Sequence, residues 1–193
     1  NALVALAVSE LAGLPIEDAL AGIAHVVVPG RLQRIDEGQD YLAIVDYAHK
    51  PAAVAAVIAT LRSEIKGRLC VVLGAGGDRD ASKRAIMGRE AARGSDLFIV
   101  TDDNPRSEDP AVIRAAVEAG AYELPTEERG EVRNIGDRAA AIRAAIAWAE
   151  PGDAVLVAGK GHETGQNVNG VIHHFDDREE VRAALQERRT GSL

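Results

Sequence analysis

The sequence predicts an α/β fold in which a mostly parallel, Rossmann-like sheet is flanked by helices. Short apolar runs alternate with helical segments across short loops, which is the pattern of a parallel sheet. Some of these runs, such as residues 69–73, are apolar throughout, as expected for a strand buried on both faces. Hydrophobic residues make up 47% of the 193 positions and aromatic residues only 3%, which favours helices packed closely on a parallel sheet.

The first part of the chain has a different pattern. Residues 2–12 are apolar with almost no polar face, which is typical of a buried helix, and residues 16–23 form a second short helix. Two short helices do not make a stable domain. We therefore expect residues 1–37 to be the tail of a preceding domain, with an apolar face that lacks its natural partner. Residues 38–193 are expected to form the domain that contains the sheet.

The elements of the second domain follow from apolar runs and helix signals. The predicted strands cover residues 41–46, 69–73, 97–100, 132–135, 154–158 and 171–175, the last as an edge strand. The predicted helices cover residues 51–66, 81–93, 110–122, 137–149 and 177–188. Pro51 and Pro110 stand at first helical positions, where proline is tolerated. Asp109 is expected to cap one helix, and Asp176 with Glu179 resembles a capping box for the last one.

Composition and charge exclude several classes of protein. Lys and Arg number 22 against 30 Asp and Glu, and the net charge of −8 argues against general binding to nucleic acid. The single cysteine rules out an intrachain disulfide, which is compatible with a reducing cytoplasm. The sequence has no signal segment and no apolar stretch of about 18 residues. We expect a cytoplasmic protein that does not insert into a membrane.

Four polar loops directly follow predicted strands. They are DYAHKP (46–51), GAGGDRD (74–80), DDNPR (102–106) and GKGHE (159–163). Because ligands of open α/β sheets bind outside the carboxyl ends of the strands, all four are expected at one edge. Arginine binds carboxylates through a two-pronged fork, and acidic side chains accept hydrogen bonds from an ammonium group. A site that offers both suits an amino acid. The candidate residues are Arg79, Asp103, Asn104, Arg106 and Glu163.

The same loops match no standard nucleotide or zinc motif. Residues 74–76 begin like a dinucleotide fingerprint, but Arg79 stands at the position of the third glycine. Lys160 is followed by glycine rather than by the Ser or Thr of a Walker A loop. The His-Glu pair after it lacks the second zinc ligand, since Gln166 stands there. Residues 173–174 are two histidines that face opposite sides of a strand, so at least one is expected at the surface. We expect no metal site.

The loops together resemble a known family. VDYAHKP, GAGGDRD…KR, VTDDNPR and VAGKGHE occur in this order and at this spacing in the Mur ligases. The chain resembles the branch of that family that adds meso-diaminopimelate, for which DNPR is the recognition motif. The resemblance runs from residue 1 to about residue 185. Mur ligases have domains for the nucleotide sugar, for ATP and for the incoming amino acid, and this chain resembles the third with the end of the second.

The resemblance implies an ATP-dependent ligation in peptidoglycan precursor synthesis. ATP converts a peptide carboxylate into an acyl phosphate, and the amine of diaminopimelate then displaces phosphate. The implied partners are ATP, meso-diaminopimelate and UDP-N-acetylmuramoyl (UDP-MurNAc) dipeptide, with no nucleic acid, and the implied state is a monomer. The family's phosphate loop and the carbamylated lysine that helps to bind Mg²⁺ have no counterpart in this sequence. We expect Mg²⁺ to be bound mainly outside this chain, and the chain alone to be inactive.

The resemblance also assigns residues, although it places no catalytic residue here. The implied diaminopimelate pocket comprises Arg79, Asp103, Asn104, Pro105, Arg106, Gly159 and Glu163. Arg79 is expected to meet the distal carboxylate, and Arg106 to contact the ligand or brace its loop. The implied ATP-binding residues are Asn1, Arg31, Asp46 and His49. His49 could equally be a structural hydrogen-bonding residue. Gln33 departs from the family, where a glutamate is frequent.

Two alternatives stay open at this point. A stand-alone module of the same fold could sense an amino acid without catalysis. A ligase of the same superfamily that extends a glutamate chain would share the sheet and the ATP chemistry, but the DNPR motif disfavours it.

Overall fold

The computed structural model describes residues 2–193, and a six-stranded sheet forms its centre. The strands are β1 (Gln33–Ile35), β2 (Leu42–Asp46), β3 (Leu69–Leu73), β4 (Leu97–Val100), β5 (Glu131–Asn134) and β6 (Ala154–Ala158). Their order is β1-β2-β6-β3-β4-β5, and only the β1–β2 pair is antiparallel. The predicted Rossmann-like, mostly parallel sheet is confirmed.

The helices of the described residues are α1 (Ala2–Leu11), α2 (Ile16–Ala24), α3 (Pro51–Glu64), α4 (Lys83–Gly94), α5 (Pro110–Tyr122), α6 (Arg138–Trp148) and α7 (Asp177–Thr190). Those from α3 to α7 cover both faces of the sheet. Helices α3, α4 and α5 share one hydrophobic core with Val71 and Leu73 of β3. Helices α6 and α7 share the other core with Cys70 and Val72. Successive residues of a strand therefore enter opposite cores, which is why β3 is apolar throughout.

Helix caps follow the prediction with one difference. The Asp109 carboxylate accepts a hydrogen bond from the Ala111 amide at 2.8 Å, and the Asp176 carboxylate accepts one from the Arg178 amide at 2.9 Å. The predicted capping box is only half formed, since the Glu179 side chain contacts His174 Nε2 at 2.7 Å instead of turning back to its cap.

Two strands were not predicted and one was assigned to the wrong sheet. The three-residue β1 pairs with β2, so the sheet begins at residue 33 rather than at about residue 38. The predicted edge strand is β8 (Val171–His174), which pairs only with β7 (Gly165–Val168) in a separate hairpin. All four residues of β8 are exposed, so burial in the main sheet does not hold them. Both histidines of 173–174 lie at the surface, in agreement with the prediction.

The two N-terminal helices form as predicted, but neither has a buried residue. Leu3 is 81% exposed and Leu11 is 88% exposed. The apolar pattern of α1, typical of a buried helix, therefore does not correspond to burial within this chain. Across residues 2–193, every helix is too short or too polar to cross a membrane.

Candidate functional site

The four polar loops meet at the carboxyl edge of the sheet, as predicted. They enclose a cleft of about 250 Å³ beyond the ends of β2, β3, β4 and β6. The predicted residues that line this cleft are His49, Arg79, Asp103, Asn104, Arg106, Gly159 and Glu163. Tyr47, Lys83 and Met87 also line it and were not predicted. Pro105 does not line the cleft, because it packs beneath Gly77.

Asp103 brings a buried carboxylate to the cleft. The residue is 8% exposed, and no donor among the described residues forms a hydrogen bond with its carboxylate. It faces Gly159, whose backbone has a φ of +115° that L-residues rarely adopt. A carboxylate at such a site is only partly solvated, and a cationic ligand would stabilise it. Asp103 is therefore suited to bind an ammonium group.

We expect Gly159→Ala to weaken binding of meso-diaminopimelate by about tenfold to a hundredfold, the value of a hydrogen bond to a charged group. The added Cβ would lie 2.7 Å from Asp103 Oδ2 and displace the carboxylate. Calorimetric titration would measure the affinity. Gly38→Ala is a matched control, since Gly38 has a φ of +89° but nothing within 4 Å of an added Cβ. Equal losses of affinity in both variants would contradict a special contact at Gly159.

Asn104 and Glu163 are held by a buried lysine. Asn104 Nδ2 donates to Glu163 Oε2 at 2.9 Å. Lys160 is fully buried, and its Nζ lies 3.2 Å from Asn104 Oδ1, 3.5 Å from Glu163 Oε2 and 2.7 Å from the Gly165 carbonyl oxygen. These contacts join the DDNPR and GKGHE loops on the protein side of the cleft.

Arg106 both lines the cleft and braces its loop. Its φ is +52°, and the hairpin holds it there, because its amide donates to the Asn167 carbonyl at 2.9 Å and its carbonyl accepts from the Asn169 amide at 2.6 Å. Its Nη1 donates to the Gly77 carbonyl at 2.7 Å. The other guanidinium N–H groups have no hydrogen bond to the described residues and remain available to a ligand.

Arg79 is the least constrained of the predicted residues. Its side chain is exposed, and its one hydrogen bond is a long contact of 3.4 Å from Nη1 to the Asp78 carbonyl. An exposed guanidinium at the rim of the cleft can approach a ligand carboxylate without breaking a structural contact. This fits the predicted role at the distal end of the amino acid.

A buried arginine ties the GAGGDRD loop to the DDNPR loop. Arg84 is 4% exposed and donates to both oxygens of Glu108 at 2.8 Å and to the Gly76 carbonyl at 3.2 Å. The Asp78 amide adds a bond of 2.6 Å to Glu108 Oε1. The guanidinium of Arg84, and then this amide, hold the pKa of Glu108 below its ordinary value. The distance between the loops is therefore fixed.

A second buried ion pair fixes two strand ends. Arg138 and Asp177 are fully buried and joined by bonds of 2.7 and 2.8 Å. Arg138 also donates to the Ala158 carbonyl at 2.9 Å and the Asp102 carbonyl at 3.3 Å, just before Gly159 and Asp103. Burial disfavours the charged guanidinium, but the Asp177 carboxylate outweighs it, so the pKa of Arg138 lies above its ordinary value.

Three of the four predicted ATP-binding residues, Arg31, Asp46 and His49, lie beside the same cleft. Arg31 stacks over the Tyr47 ring at 4.5 Å, and His49 Nδ1 lies 2.8 Å from the Tyr47 carbonyl oxygen. Both carboxylate oxygens of Asp46 accept backbone N–H groups, from Leu32 at 2.7 Å and from Ala48 at 2.8 Å. Asp46 thus shapes the strand end, with less capacity left for a ribose. The predicted Asn1 lies outside the described residues.

Gln33, at the position where the resemblance implies a glutamate, forms a local hydrogen bond. Its Oε1 accepts from the Gly30 amide at 2.8 Å and so holds the turn before β1. Gly30 in turn packs against the backbone of Gly161, where a side chain would collide. A side-chain oxygen is sufficient here, and a negative charge is not required by this contact.

Sequence reasoning missed the residues that position the site rather than line it. The sequence motifs indicate no role for Lys160, which does not fit a Walker A loop, and the helical pattern indicates none for Arg84 and Arg138. The available signal was a charged residue at a helical or loop position that is otherwise surrounded by small and apolar residues, as Lys160 is by Ala158, Gly159 and Gly161. Lys and Arg are almost never fully buried unless paired, so such residues suggest a buried ion pair.

Comparison with known proteins agrees with the motifs. The family model described as "Mur ligase, glutamate ligase domain" matches residues 30–161. The chain is 62% identical to a UDP-N-acetylmuramoyl-L-alanyl-D-glutamate–2,6-diaminopimelate ligase of Corynebacterium glutamicum, with 100% of this chain and 38% of that protein covered. It thus spans little more than a third of the curated relatives it matches.

Solved structures give the same result. A ligase of that same name has 39% identity and a TM-score of 0.76, over 97% of this chain and 38% of the other. E. coli FolC in complex with ADP, without folate substrate, has 26% identity and a TM-score of 0.63, over 98% of this chain and 40% of the other. The family-model match and the 62% identity over the whole chain show that the chain belongs to the Mur ligase family.

Proposed function

We propose that this chain forms the amino-acid-binding part of an ATP-dependent ligase. The ligase adds meso-diaminopimelate to UDP-MurNAc-L-Ala-D-Glu in the cytoplasmic synthesis of peptidoglycan precursors. The observation that carries the proposal is one cleft with two arginines, Arg79 and Arg106, and two carboxylates, Asp103 and Glu163. The names of the relatives, which match the whole chain, support it. On this proposal, residues 1–37 belong to a central ATP-binding domain and residues 38–193 to the amino-acid-binding domain.

The cleft would hold the amino acid by the end that does not react. Asp103 and Glu163 accept hydrogen bonds from the distal ammonium group, and Arg79 binds the distal carboxylate. Arg106 also lines the cleft and donates its remaining N–H groups to the ligand. With the distal end fixed in this way, the other amine projects from the cleft toward the activated carboxylate. Proximity of this kind lowers the barrier by removing the entropy cost of bringing the two reactants together.

The reaction proceeds in two steps. ATP transfers its terminal phosphoryl group to the peptide carboxylate and leaves as ADP. The free amine then forms the C–N bond, the C–O bond to phosphate breaks, and the amine loses its proton. We propose that Arg31, Asp46, His49 and Asn1 contribute to the ATP site. Because both carboxylate oxygens of Asp46 already accept backbone hydrogen bonds, its contribution is mainly structural. Among residues 2–193, no three His, Cys, Asp or Glu side chains gather as a metal site. We propose that Mg²⁺ is bound mainly by the part of the enzyme outside this chain.

Calorimetric titration of the 193-residue chain with meso-diaminopimelate and with L-lysine would test the proposal. We expect saturable binding of diaminopimelate and no measurable binding of lysine at the same concentrations. Equal binding of both, or binding of neither, would contradict it. The full-length polypeptide that contains this chain should then form ADP and the tripeptide product. Binding without ligation by that polypeptide would identify a non-catalytic amino-acid-binding module.

A further inference from the structure

Lys160 is fully buried, and each N–H donor of its ammonium group has an acceptor oxygen nearby. An ammonium group has three N–H donors and no acceptor. The three oxygens around Nζ are Asn104 Oδ1 at 3.2 Å, Glu163 Oε2 at 3.5 Å and the Gly165 carbonyl at 2.7 Å. A buried lysine that is fully partnered beside a proposed ligand site is arranged to orient those partners.

The contact determines which way the Asn104 amide faces. Asn104 Oδ1 accepts from Lys160 and also from the Asn167 amide at 2.9 Å, so two donors occupy its acceptor side. Its Nδ2 then faces Glu163 Oε2 at 2.9 Å. The reversed amide would place its NH₂ group against two donors and its oxygen against a carboxylate. Only one orientation satisfies every group.

The same contacts orient the Glu163 carboxylate. Asn104 and Lys160 both approach Oε2, whereas Oε1 has no hydrogen bond to the described residues. The carboxylate lines the cleft and its side chain is 35% exposed. The protein therefore holds one oxygen from behind and leaves the other to a ligand.

We propose that Lys160 is a positioning residue for amino-acid recognition: it sets the Asn104 amide and thereby directs Glu163 Oε1 at the ligand's ammonium group. This inference rests on the proposed function. In this inference, the carboxylates of Asp103 and Glu163 accept hydrogen bonds from the ammonium group of the ligand. Asn104, one of the predicted pocket residues, contributes by donating to Glu163.

The test compares the affinities of two variants for meso-diaminopimelate, measured by calorimetric titration. Lys160→Met removes the charge at similar length, and we expect binding about tenfold to a hundredfold weaker. Asn104→Asp replaces the NH₂ group with an oxygen and so turns a donor to Glu163 into a repelling charge, with a loss of similar size expected. If the oxygen of Asn104 received the ammonium, Asn104→Asp would bind as well as the wild-type chain or better, and the proposal would be overturned.

A spectroscopic measurement separates positioning from a general loss of structure. The side-chain NH₂ signals of Asn104 in a ¹⁵N-resolved NMR spectrum should be shifted and protected from exchange in the wild-type chain. Both features should be lost in Lys160→Met. Ile146→Ala is the matched stability control, since this buried residue belongs to the core on the far side of the sheet. We expect it to reduce stability while leaving the Asn104 signals and the affinity unchanged.

These experiments distinguish a failure of the proposed function from a failure of the inference about Lys160. A wild-type chain that fails to bind diaminopimelate contradicts the proposed function, while the Asn104 signals still report on the Lys160 contact without any ligand. Unchanged Asn104 signals in folded Lys160→Met would overturn the inference even if binding were confirmed. Should Lys160→Met fail to fold, Asn104→Asp decides, because it leaves the lysine and both of the loops in place.

Discussion

Replacing Arg138 with methionine is expected to lower the free energy of unfolding by about 3–5 kcal/mol, because it leaves the buried Asp177 carboxylate without its partner. Both side chains are fully buried, and two hydrogen bonds join them. Urea unfolding followed by circular dichroism would measure the change. Breaking one side of a buried pair costs far more than the pair contributes, so this is the largest stability effect that we expect from one substitution in this chain.

Two comparisons test whether the unpaired Asp177 carboxylate causes this loss of stability. The double variant Arg138→Met with Asp177→Leu removes both charges, and it should recover most of the lost stability. Arg34→Met removes an arginine from an exposed pair with Asp36, whose side chains are 57% and 56% exposed, and should change stability by less than about 1 kcal/mol. If Arg138→Met cost no more than Arg34→Met, the buried pair could not be holding the fold.

The double variant also separates stability from the geometry of the site. It still lacks the donors to the Asp102 and Ala158 carbonyls, which precede Asp103 and Gly159. We therefore expect weaker binding of meso-diaminopimelate than by the wild-type chain even where stability is recovered. Wild-type affinity in the double variant would mean that the strand ends hold their positions without Arg138.

The sheet could be predicted because its strands carry strong local signals. Strand β3 is apolar at every position and buried on both faces, so its pattern and its environment agree. Strand β1 has three residues, of which only Ile35 is buried, so the local signal is too short. Two of the four residues of the hairpin strand β7 are polar, so its strand pattern is weak. Its clear sequence signal is the Asn169-Gly170 turn that follows it, where φ is +50° and +81° in the structure.

The site could be predicted as a set of loops but not as a set of contacts. Parallel strands bring their carboxyl ends to one edge of the sheet. The four polar loops follow such strands, so their meeting at that edge could be predicted. Pairings such as Lys160 with Asn104 join residues 56 positions apart, and neither residue type identifies the other. The φ of +52° at Arg106 depends likewise on the hairpin that holds its backbone, and no local pattern indicates it.

The largest functional effect is expected from Arg79→Ala in the full-length polypeptide that contains this chain, which we propose to be a ligase. Diaminopimelate differs from lysine by one carboxylate at its distal end, and an arginine provided for that group would be left partly desolvated and unpaired with lysine bound. Sites built around such a polar partner reject the analogue that lacks it by about 10⁴-fold or more. Arg79 is exposed in this structure, and we expect bound diaminopimelate to cover its guanidinium. Arg79→Ala should then lower kcat/KM for diaminopimelate by about a hundredfold to a thousandfold, the range for loss of one partner of a desolvated charge pair.

Arg106→Ala provides the comparison within the cleft. It should also lower kcat/KM for diaminopimelate, but with a loss of stability, because Arg106 Nη1 holds the Gly77 carbonyl at 2.7 Å. Arg79 makes only one long hydrogen bond, so its replacement should leave the unfolding midpoint nearly unchanged. Arg89→Ala is the matched control, since Arg89 lies in α4 and pairs with Glu90 and Glu123, away from the cleft.

The decisive quantity is the ratio of kcat/KM for diaminopimelate to that for lysine. Arg79→Ala removes a group that only diaminopimelate uses, so the poor activity on lysine should change far less and the ratio should fall with the activity on diaminopimelate. Arg89→Ala should leave both activities, and hence the ratio, unchanged. Equal losses on the two amino acids in Arg79→Ala would mean that this arginine supports ATP binding or the fold. The distal carboxylate would then need another partner, and Arg106, with free N–H groups in the same cleft, would be the next to test.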